Sequence, residues 1–586
     1  MRGLSTTPAW GARLDGDSVH FAVWAPACTQ AWLVPEDAAP VPMSPDGHGG
    51  FSLSHPGRPG LRYRYRLDAA TVPDPASRWQ PEGVDGPSAV HDPDAYSWHH
   101  TAWHGRPWNE VVLYEAHVGA CGGYTGLQRQ LPALAAMGIT AVELMPVAEF
   151  PGRRNWGYDG VLPYAPASAY GSPDALKALV DAAHGLGLQV FLDVVYNHFG
   201  PHGNHLSAYA PDFFRDDVAT PWGAAIDFTR PQVRRYFIDN ALMWLHDYRI
   251  DGLRLDAVHA IAPPAFLDQL RDAIRASLPP DRHVHLVLEN EGNTASWLGP
   301  DGYDAQWNDD FHNALHVLLT GEREGYYAAF ADAPEAHLAR VLGEGFAYQG
   351  QPDPRGHVRG EPSAQVAPCH FVAFAQNHDQ IGNRAFGDRL VTSLAEPRLR
   401  AALALTALTP MVPLFFMGEP WGARQPFPFF ADFPPPLDEA VREGRRREFA
   451  QFAAFADPAR RARIPDPNAE ATFEAARVAI ADAGTTEGAR WVAWFTALLA
   501  VRRAQLTPRL CDLRADGAGV LAPGVVHAAW RDAERRLDAV LNLGDAPIDL
   551  AAAGIPSGAG HYRSDGAPDD AVLPPDTFLL RWRDAA

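Results

Sequence analysis

The chain has 586 residues, of which 47% are hydrophobic and 20% charged, a composition typical of a globular protein long enough for several domains. Its net charge of -21 opposes binding to nucleic acid or anionic lipid, so we expect neither partner. The four cysteines are far apart and form no CxxC pair, which argues against a zinc cluster or a disulfide framework. The sequence contains neither an apolar signal core in its first residues nor an apolar run of membrane-spanning length, so we expect a cytoplasmic location.

The N-terminal region, residues 1–95, alternates apolar and polar side chains in short runs. Such runs occur at 18–26, 30–35 and 61–68, separated by turns rich in Gly, Pro and Asp. This pattern predicts a small β-sandwich that is similar to a carbohydrate-binding module.

The central region, residues 96–503, alternates strand and helix patterns. Strands are predicted at 111–119, 139–147, 188–198, 250–258 and 283–290, and helices at 127–138, 174–187, 233–248 and 265–278. Repeated alternation predicts an α/β fold with a parallel sheet, and the number of units favours a (β/α)₈ barrel over an open sheet. A charged stretch at 438–482 is expected to form helical insertions.

The C-terminal region, residues 504–586, returns to short alternating strands. They are predicted at 525–532, 536–545 and 576–584. We therefore expect an antiparallel β domain after the barrel.

Polar residues stand where four of the central strands end, and barrel enzymes place their reactive groups at such ends. Any one of these residues alone is more often a cap or a turn residue. Their occurrence in order on one predicted barrel is what indicates a site. They are Asp193, Asn197 and His198; Arg254 and Asp256; Glu289 and Glu291; and Asn377, His378 and Asp379.

This set of residues matches the needs of glycoside cleavage. One carboxylate must be ionised to attack the anomeric carbon or to orient water, and a second must be protonated to release the leaving oxygen. Arg254 lies two residues before Asp256, so both side chains point to the same face of a strand, and the guanidinium would keep Asp256 ionised. His198 and His378 could donate hydrogen bonds to sugar hydroxyls, or could be core histidines.

Four short segments carry a family resemblance: DVVYNH, GLRLDAVHA, the glutamate that ends the next strand, and QNHD. They resemble the shared regions of the α-amylase superfamily, which implies a (β/α)₈ barrel and retention of anomeric configuration. The resemblance implies Asp256 as nucleophile, Glu289 as acid/base and Asp379 as the acid that stabilises the transition state. It further implies that the residues holding the cleaved glucose are Tyr158, Asp159, Asp193, His198, Arg254 and His378.

Longer stretches, including DVVYNHFGPHGNHLSAYAPDFF and FAQNHDQIGNRAFGDRL, resemble the malto-oligosyltrehalose trehalohydrolases over nearly the whole chain. That family cleaves the α-1,4 bond next to the terminal α,α-1,1-linked pair of maltooligosyltrehalose, which releases trehalose and a maltooligosaccharide. The resemblance implies this substrate and no cofactor, and we expect a monomer or a weak homo-oligomer. Candidates for selecting trehalose on the leaving-group side are Trp222, His259, Asp310, Phe311 and Gln380.

Several alternatives stay open at this point. Glu291 lies two residues after Glu289 and could face the same side if the strand continued, although Glu289 directly follows the apolar run 286–288. A glycogen branching or debranching enzyme of the same superfamily would share the short segments. A non-catalytic carbohydrate-binding protein on the same barrel is an alternative from another class. We see no acidic cluster of the EF-hand type and expect no metal requirement.

Overall fold

The centre of the molecule is a closed barrel of eight parallel strands. The computed structural model describes residues 10–220, 223–354, 356–568 and 571–585. The barrel strands, numbered in chain order, are β1 Leu113–Ala116, β2 Ala141–Leu144, β3 Gln189–Val194, β4 Gly252–Leu255, β5 His285–Leu288, β6 Ala305–Trp307, β7 Phe371–Ala373 and β8 Val412–Phe416. Each strand pairs with its sequence neighbours, and β8 is followed by β1, so the predicted α/β barrel is confirmed.

The strands are buried on both faces because helices cover the outside of the barrel and side chains fill its interior. All residues of β2, β5 and β8 are buried. A Cβ at Gly252, where β4 begins, would lie 2.7 Å from the ring of Phe191 on β3. Glycine therefore lets β3 and β4 approach while the phenylalanine ring remains packed.

The α-helices lie between and after the barrel strands. Their bounds are Gly123–Gln128, Leu131–Met137, Pro173–Gly185, Leu206–Tyr209, Pro231–His246, Ala265–Ser277, Asp309–Thr320, Pro334–Glu344, His378–Gly382, Leu390–Ser393, Glu396–Leu408, Leu437–Phe449, Pro458–Arg461, Glu470–Ala475 and Thr486–Gln505. The single helix predicted over 127–138 is wrong, since two helices meet there. Pro132 lies in the first turn of the second helix, where its missing N–H costs nothing and its ring prevents a continuous helix.

Two antiparallel sheets form the N-terminal region. One contains Gly11–Asp15, Ser18–Trp24, Gly50–Pro56 and Ser44–Pro45, and the other contains Val41–Pro42, Ala31–Pro35, Arg62–Leu67, Ala70–Val72 and Ser88–Ala89. Trp10 packs edge-on against Phe213 and Tyr236, and the Tyr236 hydroxyl donates to the carbonyl of Pro75 at 2.6 Å. The N-terminal sheets therefore share one apolar core with the barrel.

The C-terminal region contains a five-stranded antiparallel sheet, as predicted. Its strands are Arg514–Ala522, Val525–Arg531, Arg535–Asn542, Thr577–Asp584 and Gly560–Arg563. Trp530 joins this sheet to the barrel, since its indole N–H donates to the carbonyl of Leu342 at 3.0 Å. The predicted domain limits at 95/96 and 503/504 stay predictions. Residue 504 lies inside the helix Thr486–Gln505.

Three further strand pairs lie outside these sheets. They are Ala148–Glu149 with Leu162–Pro166, Phe214–Thr220 with Gly223–Ile226, and Ile548–Asp549 with Val572–Leu573. Within the four described ranges, no helix is both long enough and apolar enough to cross a membrane.

One buried arginine ties the last long helix to the barrel. Arg502 is 1% exposed, and its guanidinium donates to the carbonyls of Ala407, Thr409 and Met411 at 2.8, 3.0 and 2.8 Å. These carbonyls lie directly before β8. The guanidinium therefore satisfies three backbone acceptors that water does not reach.

We predict that Arg502→Met destabilises the protein by roughly 3 kcal/mol or more, because it leaves three buried acceptors without a charged donor. Differential scanning calorimetry would measure the fall in the unfolding midpoint. Arg503→Met is the matched control, since Arg503 is exposed on the same helix. Equal midpoints for the two variants would contradict the anchoring role.

Candidate active site

The guanidinium of Arg254 is the meeting point of four barrel strands. Its Nη1 lies 2.9 and 2.8 Å from the two carboxylate oxygens of Asp193 and 2.7 Å from Oδ1 of Asp256. Its Nη2 lies 3.7 Å from Oε2 of Glu289, and its Cζ stands 4.2 Å above the ring of Trp307. Arg254 is 1% exposed. One buried cation thus gathers residues at or directly after the ends of β3, β4, β5 and β6.

Asp256 directly follows β4 and has an environment that favours its charged form. Besides Arg254, the amide of Asn197 donates to its Oδ2 at 2.7 Å. Burial raises the pKa of Asp256, but the charge of Arg254 and the Asn197 hydrogen bond outweigh that penalty and lower the pKa below its ordinary value. The carboxylate is therefore ionised at neutral pH, as a nucleophile requires.

Glu289 directly follows β5 and has the opposite tendency. Burial raises its pKa to about 8; Arg254 opposes this shift, and the negative charges of Asp256 and Asp309 add to it. Its Oε2 accepts one backbone N–H, from Ala257 at 2.5 Å. Ala257 has a φ of +41°, a left-handed conformation uncommon outside glycine, at the turn that presents this N–H to Glu289. Glu289 is therefore protonated at neutral pH, as a general acid requires.

Glu291 does not share this position. The strand β5 ends at Leu288, so the alternation that would align Glu291 with Glu289 is interrupted. Glu291 is exposed, and its backbone N–H points to Nδ1 of His259 at 3.4 Å. Of the two glutamates, the structure places only Glu289 beside Arg254.

Asp379 lies across the site in the first turn of the helix His378–Gly382, which Asn377 caps. Its side chain is 48% exposed, and its Oδ1 lies 3.5 Å from Nε2 of His378. The ring of Tyr158 stacks on His378 at 5.1 Å between ring centroids, and the Tyr158 hydroxyl donates to Asp193 at 2.5 Å. These residues form a wall of acid, imidazole and aromatic ring that suits a sugar face.

His198 and Asp159 flank that wall. Nε2 of His198 lies 2.9 Å from the carbonyl of Tyr158, and burial lowers the pKa of His198, so its imidazole is neutral. The carboxylate of Asp159 accepts from the Asn155 amide at 2.8 Å. The structure thus brings together five of the residues that the resemblance assigned to the cleaved glucose, namely Tyr158, Asp193, His198, Arg254 and His378. The sixth, Asp159, directly follows Tyr158, and its carboxylate bonds to Asn155.

The residues expected on the leaving-group side are not brought together in the same way. Asp310 and Phe311 are buried, at 1% and 0% exposure. Gln380 uses its carbonyl oxygen to accept the Asn377 N–H at 2.9 Å, which closes a capping box. His259 is exposed near Glu291, and Trp222 lies outside the described residues.

Asp310 is held by the protein itself. Its Oδ2 accepts from the Asn293 amide at 2.9 Å and from the backbone N–H groups of Ala347 and Tyr348 at 2.8 and 3.1 Å. Its Oδ1 pairs with Arg359 at 2.9 Å. Asp310 therefore ties the segment before β7 to the end of β6, and protein donors occupy both of its carboxylate oxygens.

Asp309, which sequence reasoning passed over, is the carboxyl group that faces the site at this point. It is partly exposed, and burial together with the charges of Asp379 and Asp310 raises its pKa to about 7. Its charge in turn acts on Glu289. The motif WNDDFH could have indicated Asp309, because two consecutive acids at a strand end cannot point the same way and one of them was free to face the site. Asn197 and Glu115 also contact site residues without having been assigned a role there.

No group of three or more His, Cys, Asp and Glu side chains in the described part of the chain could hold a metal ion. The expectation of a metal-free site stays a prediction.

The chain is similar to known proteins in sequence and in fold. The family model described as "Alpha amylase, catalytic domain" matches residues 90–216. A malto-oligosyltrehalose trehalohydrolase of Deinococcus radiodurans is 42% identical over 515 residues, which cover 85% of this chain and 83% of that protein. The chain belongs to the malto-oligosyltrehalose trehalohydrolase family.

Two further similar proteins differ in how much of this chain they match. The crystal structure of a putative alpha amylase from Salmonella typhimurium has a TM-score of 0.93 and 42% identity, and the match covers 98% of this chain and all of that one. A 1,4-alpha-glucan branching enzyme of Vibrio cholerae is 35% identical over 285 residues, which cover 43% of this chain and 39% of the enzyme. Similarity to the trehalohydrolase therefore extends much further along the chain than similarity to the branching enzyme.

We predict that Glu289→Gln lowers kcat by about 10³-fold, because the amide cannot donate the proton that the leaving oxygen needs. Glu291→Gln is the matched control and should change kcat by less than about threefold, since Glu291 is exposed and lies beyond the end of β5. Steady-state hydrolysis assays at one pH measure both variants. The reverse order of effects would assign the acid to Glu291.

The pH dependence of kcat/KM should have an alkaline limb with a midpoint near 8, because activity requires protonated Glu289 and is lost as the pH rises through its pKa.

Above pH 7 Asp309 is largely ionised, so Asp309→Asn removes a negative charge that favours the protonated form of Glu289. The alkaline midpoint should therefore move to lower pH. Asp301→Asn, at an exposed carboxyl group in the preceding loop, should leave it unchanged. An unshifted midpoint in Asp309→Asn would show that its charge does not reach Glu289.

Proposed function

We propose that the protein hydrolyses the α-1,4-glucosidic bond next to the terminal trehalose unit of maltooligosyltrehalose, with retention of configuration. The observation that carries the proposal is the pair Asp256 and Glu289, which share one guanidinium yet have pKa values displaced in opposite directions. Two carboxyl groups so arranged supply a nucleophile and an acid at the same pH. Similarity to the trehalohydrolases supports the choice of substrate and product.

In the first step Asp256 attacks the anomeric carbon and forms a covalent glycosyl ester. Glu289 transfers its proton to the glycosidic oxygen, so the bond to the trehalose unit breaks and trehalose leaves as a neutral alcohol. Arg254 and Asn197 hold the Asp256 carboxylate in one orientation for this attack. Asp379 accepts hydrogen bonds from the hydroxyls of the cleaved glucose while positive charge develops on the glucose ring.

In the second step Glu289, now ionised, removes a proton from water. The water oxygen attacks the anomeric carbon, and Asp256 departs as a carboxylate. The proton taken from water returns Glu289 to its protonated form, whereas the proton of the first step has left with trehalose. Two successive inversions leave the maltooligosaccharide product with its original α configuration.

Selection of trehalose takes place on the side of Glu289 that the leaving group occupies. Asp309 is the carboxyl group there that is partly exposed, and we assign to it the hydrogen bonds to the trehalose hydroxyls that we had expected from Asp310. Asp310 supports this side indirectly, since its carboxylate holds Arg359 and the backbone N–H of Ala347 in place. His259, Trp222 and Gln380 stay predictions as sugar contacts.

Branching activity is the second candidate because the superfamily shares the two reacting carboxyl groups. The match to the branching enzyme of Vibrio cholerae covers only 43% of this chain, whereas the match to the trehalohydrolase covers 85%. This difference favours hydrolysis of the trehalose-capped substrate. A non-catalytic carbohydrate-binding role would leave no reason for the opposed pKa values of Asp256 and Glu289.

We predict that the purified protein converts maltopentaosyltrehalose into trehalose and maltopentaose, with far slower hydrolysis of plain maltooligosaccharides of equal length. Anion-exchange chromatography of the products, with Asp256→Asn as the inactive control, measures both reactions. New branch points in the product would favour the branching enzyme. Equal rates on capped and plain substrates would refute the selection of trehalose.

A further inference from the structure

Two buried glutamates lie side by side in the barrel beneath the reacting groups, and the proposed mechanism uses neither. Glu115 on β1 and Glu143 on β2 are directly opposite each other in the strand register, and each is 1% exposed. Both are surrounded by the same barrel interior, yet their surroundings differ in hydrogen bonding. That difference separates their roles.

Glu115 is fully engaged with His378. Its Oε1 lies 2.5 Å from Nδ1 of the imidazole, and its Oε2 accepts the backbone N–H of His378 at 3.0 Å. The other ring nitrogen, Nε2, lies 3.5 Å from the carboxylate of Asp379. A carboxylate that accepts from Nδ1–H fixes which nitrogens of the imidazole carry protons and how the ring is turned.

His378 is consequently a cation. Burial lowers its pKa, but the negative charges of Glu115 and Asp379 outweigh burial and raise the pKa to about 9. Its Nε2–H is therefore a charged donor on the side of Asp379, where the cleaved sugar is to be held. A charged donor makes a stronger hydrogen bond to a hydroxyl oxygen than a neutral imidazole would.

Glu143 has no such partner. Within the described ranges, both of its carboxyl oxygens are buried without a hydrogen-bonding group. Burial, followed by the charges of Glu115 and Asp193, raises its pKa well above the ordinary value, so the group is a neutral acid. A glutamine has nearly the same shape and the same charge as a neutral glutamic acid.

We propose that Glu115 is a positioning residue of the active site, which holds His378 as an oriented cation so that its Nε2–H points toward the substrate, whereas Glu143 fills space as a neutral acid. The inference rests on the proposed function, because the oriented donor serves the sugar that Asp256 attacks. Glu115 acts through His378 and touches no substrate atom itself.

The test compares two isosteric variants of adjacent residues, Glu115→Gln and Glu143→Gln. Glu115→Gln removes the charge that keeps His378 protonated, and kcat/KM should fall on the order of 100-fold at pH 7 because a charged donor is lost. Glu143→Gln should stay within about threefold of the wild type. Equal activities in the two variants, or a larger loss in Glu143→Gln, would overturn the division of roles.

A pH profile distinguishes positioning from general damage to the fold. The titratable and charged groups around His378 are Glu115, Glu143, Asp379, Arg254 and His117. Without the Glu115 charge, burial lowers the pKa of His378, so Glu115→Gln should recover activity as the pH falls, with an alkaline limb below that of the wild type. A variant that was merely unstable would lose activity equally at every pH, and this outcome would refute the proposal.

A measurement on the wild type covers the case in which Glu115→Gln does not fold. In protein labelled with ¹⁵N-histidine, the His378 signals, assigned by their loss in His378→Gln, should titrate well above pH 7. Titration at or below the ordinary histidine value would overturn the proposal. Failure of the proposed function would look different, since the wild type would then release no trehalose whatever the state of His378.

Discussion

The active site depends on one buried cation. The charge of Arg254 lowers the pKa of both reacting carboxyl groups, yet the two pKa values move apart because their other surroundings differ. Asp256 lies 2.7 Å away and also accepts from Asn197, whereas Glu289 lies 3.7 Å away, accepts one backbone N–H and faces the negative charges of Asp256 and Asp309. The effect of burial, which raises both pKa values, is therefore overcome at Asp256 but not at Glu289. Asp193 also pairs with this guanidinium, at 2.8 Å, so three carboxyl groups surround one cation.

The residues at strand ends could be predicted from the sequence, and the reason is topological. In a parallel barrel all strands end at one rim, so Asp193, Asp256, Glu289 and Asp379 had to converge wherever the intervening helices ran. Glu115 could not be predicted in this way because it lies inside β1 among apolar residues and not at the end of a strand. Its partner follows β7 in sequence, and their meeting requires closure of the barrel, which local patterns do not encode.

The choice between Asp309 and Asp310 shows a second limit. Both acids follow β6 and begin the helix Asp309–Thr320, where consecutive side chains point in different directions. Hydrogen-bond donors from residues 293, 347, 348 and 359 surround Asp310 and bury it. Asp309 is therefore the acid that stays partly exposed. Those donors come from distant segments of the chain. The motif therefore indicated an acid near the site but not which of the two acids it is.

The bond between Glu115 and His378 joins residues 263 positions apart. During synthesis β1 and β2 emerge long before the imidazole that Glu115 will meet. In the unfolded chain Glu115 and Glu143 stand in water, where both are ionised at neutral pH. In the closed barrel Glu143 is a buried neutral acid, so folding at neutral pH takes up a proton there.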